Sequence, residues 1–451
     1  MKPNILFIVI DSLRADRIFG KQKTADSPLI DSLIKKGVYF SNTITTSQYT
    51  AQVMQSIFTA RFPVVGSTTK KLHKKMNSKT SPLLLLKNYG YKTAATVQED
   101  VFLHGLSETF DNEDVSFKGE DNLYNGLAER ILKKLDSLTN PWFYYIHLED
   151  LHTPCVVSKE LSHLKLSERY DRNIFEIDSL IGKILNKINL DETLIVITSD
   201  HGEYISPVQG GLEESMSTKV AIKNSIKKLI PRKTLTELHY KKRNIMKKIH
   251  AIKTNKPHEK RILADRRQLP NKVLYDDIIR VPLLFAGYNI NSMPSIAQQI
   301  CNIDIFPTIL ELIEIPTIEL NIHGRSLVPL LKGKEFNSIP IYMTSSAIIK
   351  KMFLNIRIDE SLGPLVGIRT PNFKYFRNFQ DPKKDVHLYD LKNDPLEDNN
   401  IADKRSDVVK EMELNVEKIQ KDSLPILNEE EEIDDEEIKR VQESLKKLGY
   451  I

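Results

Sequence analysis

The chain has 451 residues, with 65 Lys and Arg against 60 Asp and Glu and a formal charge of +5. Hydrophobic residues make up 40% and charged residues 28%, an ordinary soluble balance that supports one large α/β domain plus a smaller one. Two cysteines, Cys155 and Cys301, exclude a disulfide framework and any zinc-ligand spacing, and no apolar run approaches the ~20 residues that span a bilayer.

The first predicted element is Asn4–Ile10, an apolar, β-branched run ending at Asp11. It follows Lys2 much as a signal peptide would, but no small-residue cleavage site succeeds it. A central strand buried on both faces is the better reading, and a cytoplasmic protein, or one held on the inner membrane face, is expected. Helical patterns follow at Ser27–Lys36, Val53–Thr59, Ser81–Asn88 and Leu123–Leu138. Trp142–Leu148 reads as a second strand, followed by a loop with His152. Arg169–Ile188 is helical, and Leu194–Thr198 is a third strand running straight into Ser199-Asp200-His201-Gly202-Glu203. Val281–Phe285 is a fourth, with Pro282 marking its start. Alternating strands and helices predict a large, mostly parallel or mixed sheet flanked by helices.

After Ile303–Thr308 the texture changes to short strands at Ile339–Met343, Val366–Arg369 and Lys374–Arg377, then helices near Val408–Ser423 and Asp434–Lys447. The expected division is residues 1–320 as the catalytic domain, with an insertion at about 206–270, and 321–451 as a smaller α+β domain.

Three strands therefore end in residues that bear chemistry: Asp11, His152, and Asp200 with His201. In open α/β sheets ligands collect at the carboxyl ends of strands. Thr50 lies in Ser47–Gln52, which runs into the helical pattern Val53–Thr59, and a hydroxyl at or just before a helix N-terminus meets unpaired N–H groups and a positive dipole end that favour an alkoxide and an anionic substrate. Two carboxylates and an imidazole make a mixed oxygen and nitrogen shell suited to Mg, Mn or Zn. Singly, each residue is more often a loop acid, a helix cap or a structural histidine. Their joint occurrence, in order, carries the reading.

The sequence resembles the sulfatase family of the alkaline-phosphatase superfamily nearly end to end. The resemblance runs through Asn4–Asp16, Ser27–Asn42, Thr50–Pro63, Gly90–Thr93, His152-Thr153-Pro154 and the intact Ser199–Glu203. It continues through Leu274–Gly287, Ile303–Leu310, His323–Leu331, Leu388–Asn399 and Leu448–Ile451. It implies an alkaline-phosphatase-like fold with a small C-terminal sheet. It also implies that Asp11, Asp200 and His201 hold one divalent metal and that Thr50 sits on that metal as nucleophile. His152 and Lys272 would contact the transferred anion or protonate the leaving group.

The chain departs from the family in three places. A formylglycine sulfatase needs Cys or Ser at the head of a Cys-x-Pro-x-Arg stretch, and here Thr50, Gln52 and Met54 stand instead. Threonine cannot be oxidised to formylglycine, because its β-carbon bears a methyl group. Direct attack through a phospho-threonine, as in the superfamily's threonine phosphodiesterases and phosphoglycerol or phosphoethanolamine transferases, is the implied route. The paired acidic opening is Asp11-Ser12, and Pro270 replaces an expected histidine. His201, where many calcium enzymes carry Asn, favours Mn or Zn over Ca. The expected substrate is a sulfated or phosphorylated small molecule, glycan or lipid headgroup. A transferase and a non-catalytic anion-binding homologue are the rival readings.

Residues 219–267 carry 17 Lys and Arg against 3 Asp and Glu, so the rest of the chain is net negative. Ile222, Ile226 and Leu229, and then Leu238, Ile245, Ile249 and Ile252, recur at helical spacing among the cations. This pattern suits a basic lid or a surface for anionic membrane or glycolipid. Tyr240 is its one aromatic, which argues against a nucleic-acid surface.

Overall fold

The computed structural model describes residues 2–63, 82–98, 110–116, 122–152, 155–205, 257–258, 274–317, 320–345 and 364–423. The basic segment (apart from 257–258), Lys272 and the helix expected at Asp434–Lys447 lie outside them.

The main sheet has eight strands: β1 (Asn4–Ile10), β2 (Val38–Ile44), β3 (Lys92–Gln98), β4 (Asn112–Ser116), β5 (Trp142–Leu148), β6 (Thr193–Thr198), β7 (Arg280–Gly287) and β8 (Ile300–Cys301). Their order is β4-β3-β5-β1-β6-β7-β2-β8. β7 runs antiparallel to both β6 and β2, and the other pairings are parallel. The expected mixed sheet is therefore present, and Pro282 sits near the start of β7.

All seven residues of β1 are buried, as its unbroken apolar run requires of a central strand. Ile5, Phe7 and Val9 pack with Val53, Ile57 and Phe58 of the helix Thr50–Thr59. Leu6, Ile8 and Ile10 face the other way, onto Ile174, Ile177 and Ile181 of the helix Leu166–Leu185. This alternation fixes the register, since a one-residue slip would exchange the two faces.

That register also builds the site. Ile10 pairs with Leu148 of β5 and Val9 pairs with Thr198 of β6, so the ends of three strands are level. The Asp11 N–H donates to Leu148 O at 2.8 Å, which extends the β1–β5 ladder to the first functional residue.

A second, antiparallel sheet of β9 (Ile341–Thr344), β10 (Leu365–Arg369), β11 (Phe373–Asn378) and β12 (His387–Asp390) has the order β12-β11-β10-β9. The helix Ser406–Ser423 covers it with Val408, Met412 and Val416. Thr344 joins this sheet to the loop before Thr50: it bridges Ser47, and its N–H donates to Thr46 O at 3.0 Å. Among the described residues no helix is long and apolar enough to cross a membrane.

Candidate metal centre and active site

Asp11, Thr50, Asp200 and His201 meet at the carboxyl end of β1 and β6. Asp11, Asp200 and His201 are buried, and one ligand atom of each lies within 4.8 Å of the other two. Thr50 is the first residue of its helix, which begins without a side-chain cap. Its Oγ1 stands 3.4 Å from Asp11 Oδ2 and 3.4 Å from His201 Nε2.

The loop after β6 sets the imidazole. The Ser199 hydroxyl donates to His201 O at 2.7 Å and accepts the Leu13 N–H at 3.0 Å, tying this loop to the one after β1. His201 Nδ1 is 3.0 Å from Gly202 O, a carbonyl that can only accept. Nδ1 therefore carries the proton, and Nε2 presents a lone pair toward Thr50 and the carboxylates. Gly202 is required here, because a Cβ would lie 2.2 Å from Asp277 O.

Ser12, which stands where the family has a second acidic residue, has φ +64° and organises both carboxylates. Its hydroxyl donates to Asp11 Oδ1 at 2.6 Å, and its N–H donates to Asp200 Oδ1 at 3.2 Å. Asp200 Oδ1 also accepts the His201 N–H at 2.8 Å. Asp200 Oδ2 is buried with no hydrogen-bond partner. Burial works to raise the Asp11 carboxyl's pKa, but His147, His201 and His152 around it outweigh burial and hold it well below the usual carboxylate range.

His152 lies in the loop after β5, with its N–H on Glu149 O at 2.9 Å, close enough for its ring to act on Asp11. His147 is the residue that sequence reasoning passed over. It sits inside an apolar strand, yet its Nε2 is 3.8 Å from Asp11 Oδ2. The available signal was a polar residue one position from the carboxyl end of a buried strand. Cys155 and Cys301 are buried and form no disulfide with each other.

The model of the Sulfatase family matches residues 3–315, and that of the N-sulphoglucosamine sulphohydrolase C-terminal region matches residues 265–422. The chain belongs to the sulfatase family. Arylsulfatase K of Gallus gallus is 28% identical over 152 residues, covering 34% of this chain and 28% of that protein. Choline-sulfatase of Rhizobium meliloti is 33% identical over 136 residues, covering 29% and 22%. The matched stretches thus span less than a third of either relative. Two solved structures show the same sulfatase fold over nearly the whole chain. One is a 2-O GAG sulfatase (TM-score 0.64, 16% identity, 97% and 96% coverage). The other is the phosphonate monoester hydrolase of Agrobacterium radiobacter (TM-score 0.61, 16% identity, 94% and 96% coverage).

The residues of this sulfatase-family site fit a divalent cation. Two buried carboxylates lie side by side, and one of their oxygens lacks a hydrogen-bond partner, an arrangement that costs free energy unless a cation neutralises it. The donor set is two carboxylate oxygens and one imidazole nitrogen, ligand types that divalent cations take.

Proposed function

We propose that this chain is a metal-dependent hydrolase of sulfate or phosphate esters in which Thr50 is the nucleophile. The observation that carries the reading is the position of Thr50 Oγ1 at the head of a helix, 3.4 Å from both Asp11 Oδ2 and His201 Nε2. Asp11, Asp200 and His201 would hold the ion, whose Lewis acidity would favour the ionised hydroxyl and offset the charge of the ester.

Thr50 Oγ1 would give its proton to water and bond to the phosphorus or sulfur of the ester. The bond from that centre to the alcohol oxygen breaks, and the alcohol takes a proton from His152 or Lys272. Water then releases sulfate or phosphate, or a phosphate monoester where the substrate is a diester, and its proton restores the Thr50 hydroxyl. The N–H groups at the head of the Thr50–Thr59 helix meet the anion. Threonine cannot supply an aldehyde hydrate, so direct attack is the chemistry open to it, and this favours phosphate esters. The substrate class is a phosphorylated or sulfated small molecule, glycan or lipid headgroup. Residues 1–320 would form the catalytic domain and 321–451 the smaller one, whose Thr344 steadies the loop before Thr50.

The test is turnover of p-nitrophenyl sulfate, p-nitrophenyl phosphate and bis-p-nitrophenyl phosphate by Mn- or Zn-loaded protein, with Thr50→Ala beside wild type. The reading predicts turnover of a phosphate ester that is lost in Thr50→Ala. Metal-loaded protein silent on all three substrates would overturn it.

A further inference from the structure

β5 brings a second imidazole to Asp11, and the mechanism above gives it no role. His147 pairs with Val9 of β1, and its side chain is fully buried. Its Nδ1 is 2.6 Å from the Tyr145 hydroxyl, and its Nε2 has no hydrogen-bond partner. A buried ring nitrogen without a partner is uncommon and costly. This one stands 3.8 Å from Asp11 Oδ2, an electrostatic contact rather than a hydrogen bond.

The tautomer follows from Asp11. A carboxylate oxygen can only accept, so the ring nitrogen that faces it, Nε2, is placed as the N–H, and Nδ1 then accepts the Tyr145 hydroxyl proton. The two oxygens of Asp11 are thus addressed separately: Oδ1 by the Ser12 hydroxyl, Oδ2 by His147. With serine in the family's second acidic position, neutral donors rather than another carboxylate set the orientation of Asp11.

We propose that His147, with its Nε2–H facing Asp11 and its Nδ1 on the Tyr145 hydroxyl, is a positioning residue that orients the Asp11 carboxylate toward the metal and toward Thr50. It touches neither substrate nor reacting atoms. The inference rests on the reading of Asp11 as a metal ligand. Partners of this kind affect metal affinity as much as rate.

The experiment measures Mn and Zn affinity by competition with a fluorescent chelator, with thermal unfolding of the metal-free proteins in parallel. Four proteins are compared: wild type, His147→Leu, His147→Gln and Tyr145→Phe. His147→Leu should lose about 10- to 100-fold in affinity while remaining folded. His147→Gln keeps an N–H donor near the place of Nε2 and should stay within a few-fold of wild type. Tyr145→Phe removes the donor to Nδ1 and should fall between the two. Folded His147→Leu with wild-type affinity, or His147→Gln as weak as His147→Leu, would overturn the inference and leave the proposed function standing. Should His147→Leu not fold, wild-type affinity in Tyr145→Phe would overturn it. A wild type that binds neither metal would bring down both readings.

Discussion

Two buried clusters of carboxylates in this molecule are built in opposite ways. Where the small sheet meets the main one, Asp276 pairs with Arg369, and Asp276 and Glu397 share Lys374. Arg369 reaches Asp276 Oδ2 at 2.8 Å, while Lys374 contacts Asp276 and lies 2.7 Å from Glu397. Burial works to raise the Asp276 carboxyl's pKa, but Arg369 and Lys374 hold it far below its ordinary value. At the end of β1 and β6, Asp11 and Asp200 are as deeply buried, yet among the described residues no Lys or Arg pairs with either. The first cluster carries its own cations, although burial and the neighbouring Asp276 still push the Glu397 carboxyl up to about 7. Among the described residues the second has imidazoles alone as possible countercharge, and a threonine hydroxyl stands beside it. Buried charge by itself does not mark a functional site; an unmet need for countercharge does.

Four experiments would break or sharpen that contrast, taken from the largest expected effect. Thr50→Ala should lower turnover by at least about 10³-fold, the loss usual for a nucleophile, with the unfolding temperature nearly unchanged. Steady-state kinetics beside a thermal melt reads both. Asp200→Asn should weaken Mn or Zn binding by more than about 100-fold, beyond the usual loss from an outer partner. It should also raise the melting temperature of the metal-free protein, because one unneutralised buried charge is gone. Chelation should lower the wild-type melting temperature and leave that of Asp200→Asn unmoved.

Lys374→Met should do the reverse. It leaves Glu397 buried without a cation, while Asp276 keeps Arg369, and should cost about 3–5 kcal/mol of stability in denaturant titration, with metal affinity untouched. The smallest effect comes from Asp150, a buried carboxylate with neither a cation nor a metal role. Burial pushes its pKa up to about 6, and its Oδ2 has no partner. The folded state therefore holds the Asp150 proton more tightly than the unfolded chain does. Stability from this group is full below the unfolded carboxylate pKa and is lost as pH rises toward 6. Asp150→Asn should remove that slope and gain on the order of 2 kcal/mol at neutral pH, read from melts between pH 4 and 8.

Much of this arrangement was legible in the sequence for a physical reason. A strand buried on both faces reads as an unbroken apolar run, so its polar terminator is conspicuous; Asp11 and Asp200 were found in that way. The parallel register then made the ends of β1, β5 and β6 level, which spacing alone does not state. His147 escaped notice because a histidine within Trp142–Leu148 is locally indistinguishable from a core residue. Only its level with Val9 shows that it faces Asp11. The role of Ser12 was equally hidden. Its absent carboxylate was visible, but the two hydrogen bonds it makes depend on φ +64°, which sequence does not reveal for serine. β2 and β3 were not anticipated as strands, since Tyr39, Ser41, Asn42 and Thr43 interrupt one and Lys92, Thr93 and Thr96 the other.

The most direct test of the central claim is acid-quenched turnover of a labelled phosphodiester by metal-loaded protein, followed by peptide mass spectrometry. A phosphoryl group still carrying its second ester, bound covalently to Thr50 and absent when the metal is chelated, is the result this account predicts. Turnover that leaves Thr50 unmodified and persists in Thr50→Ala would contradict it.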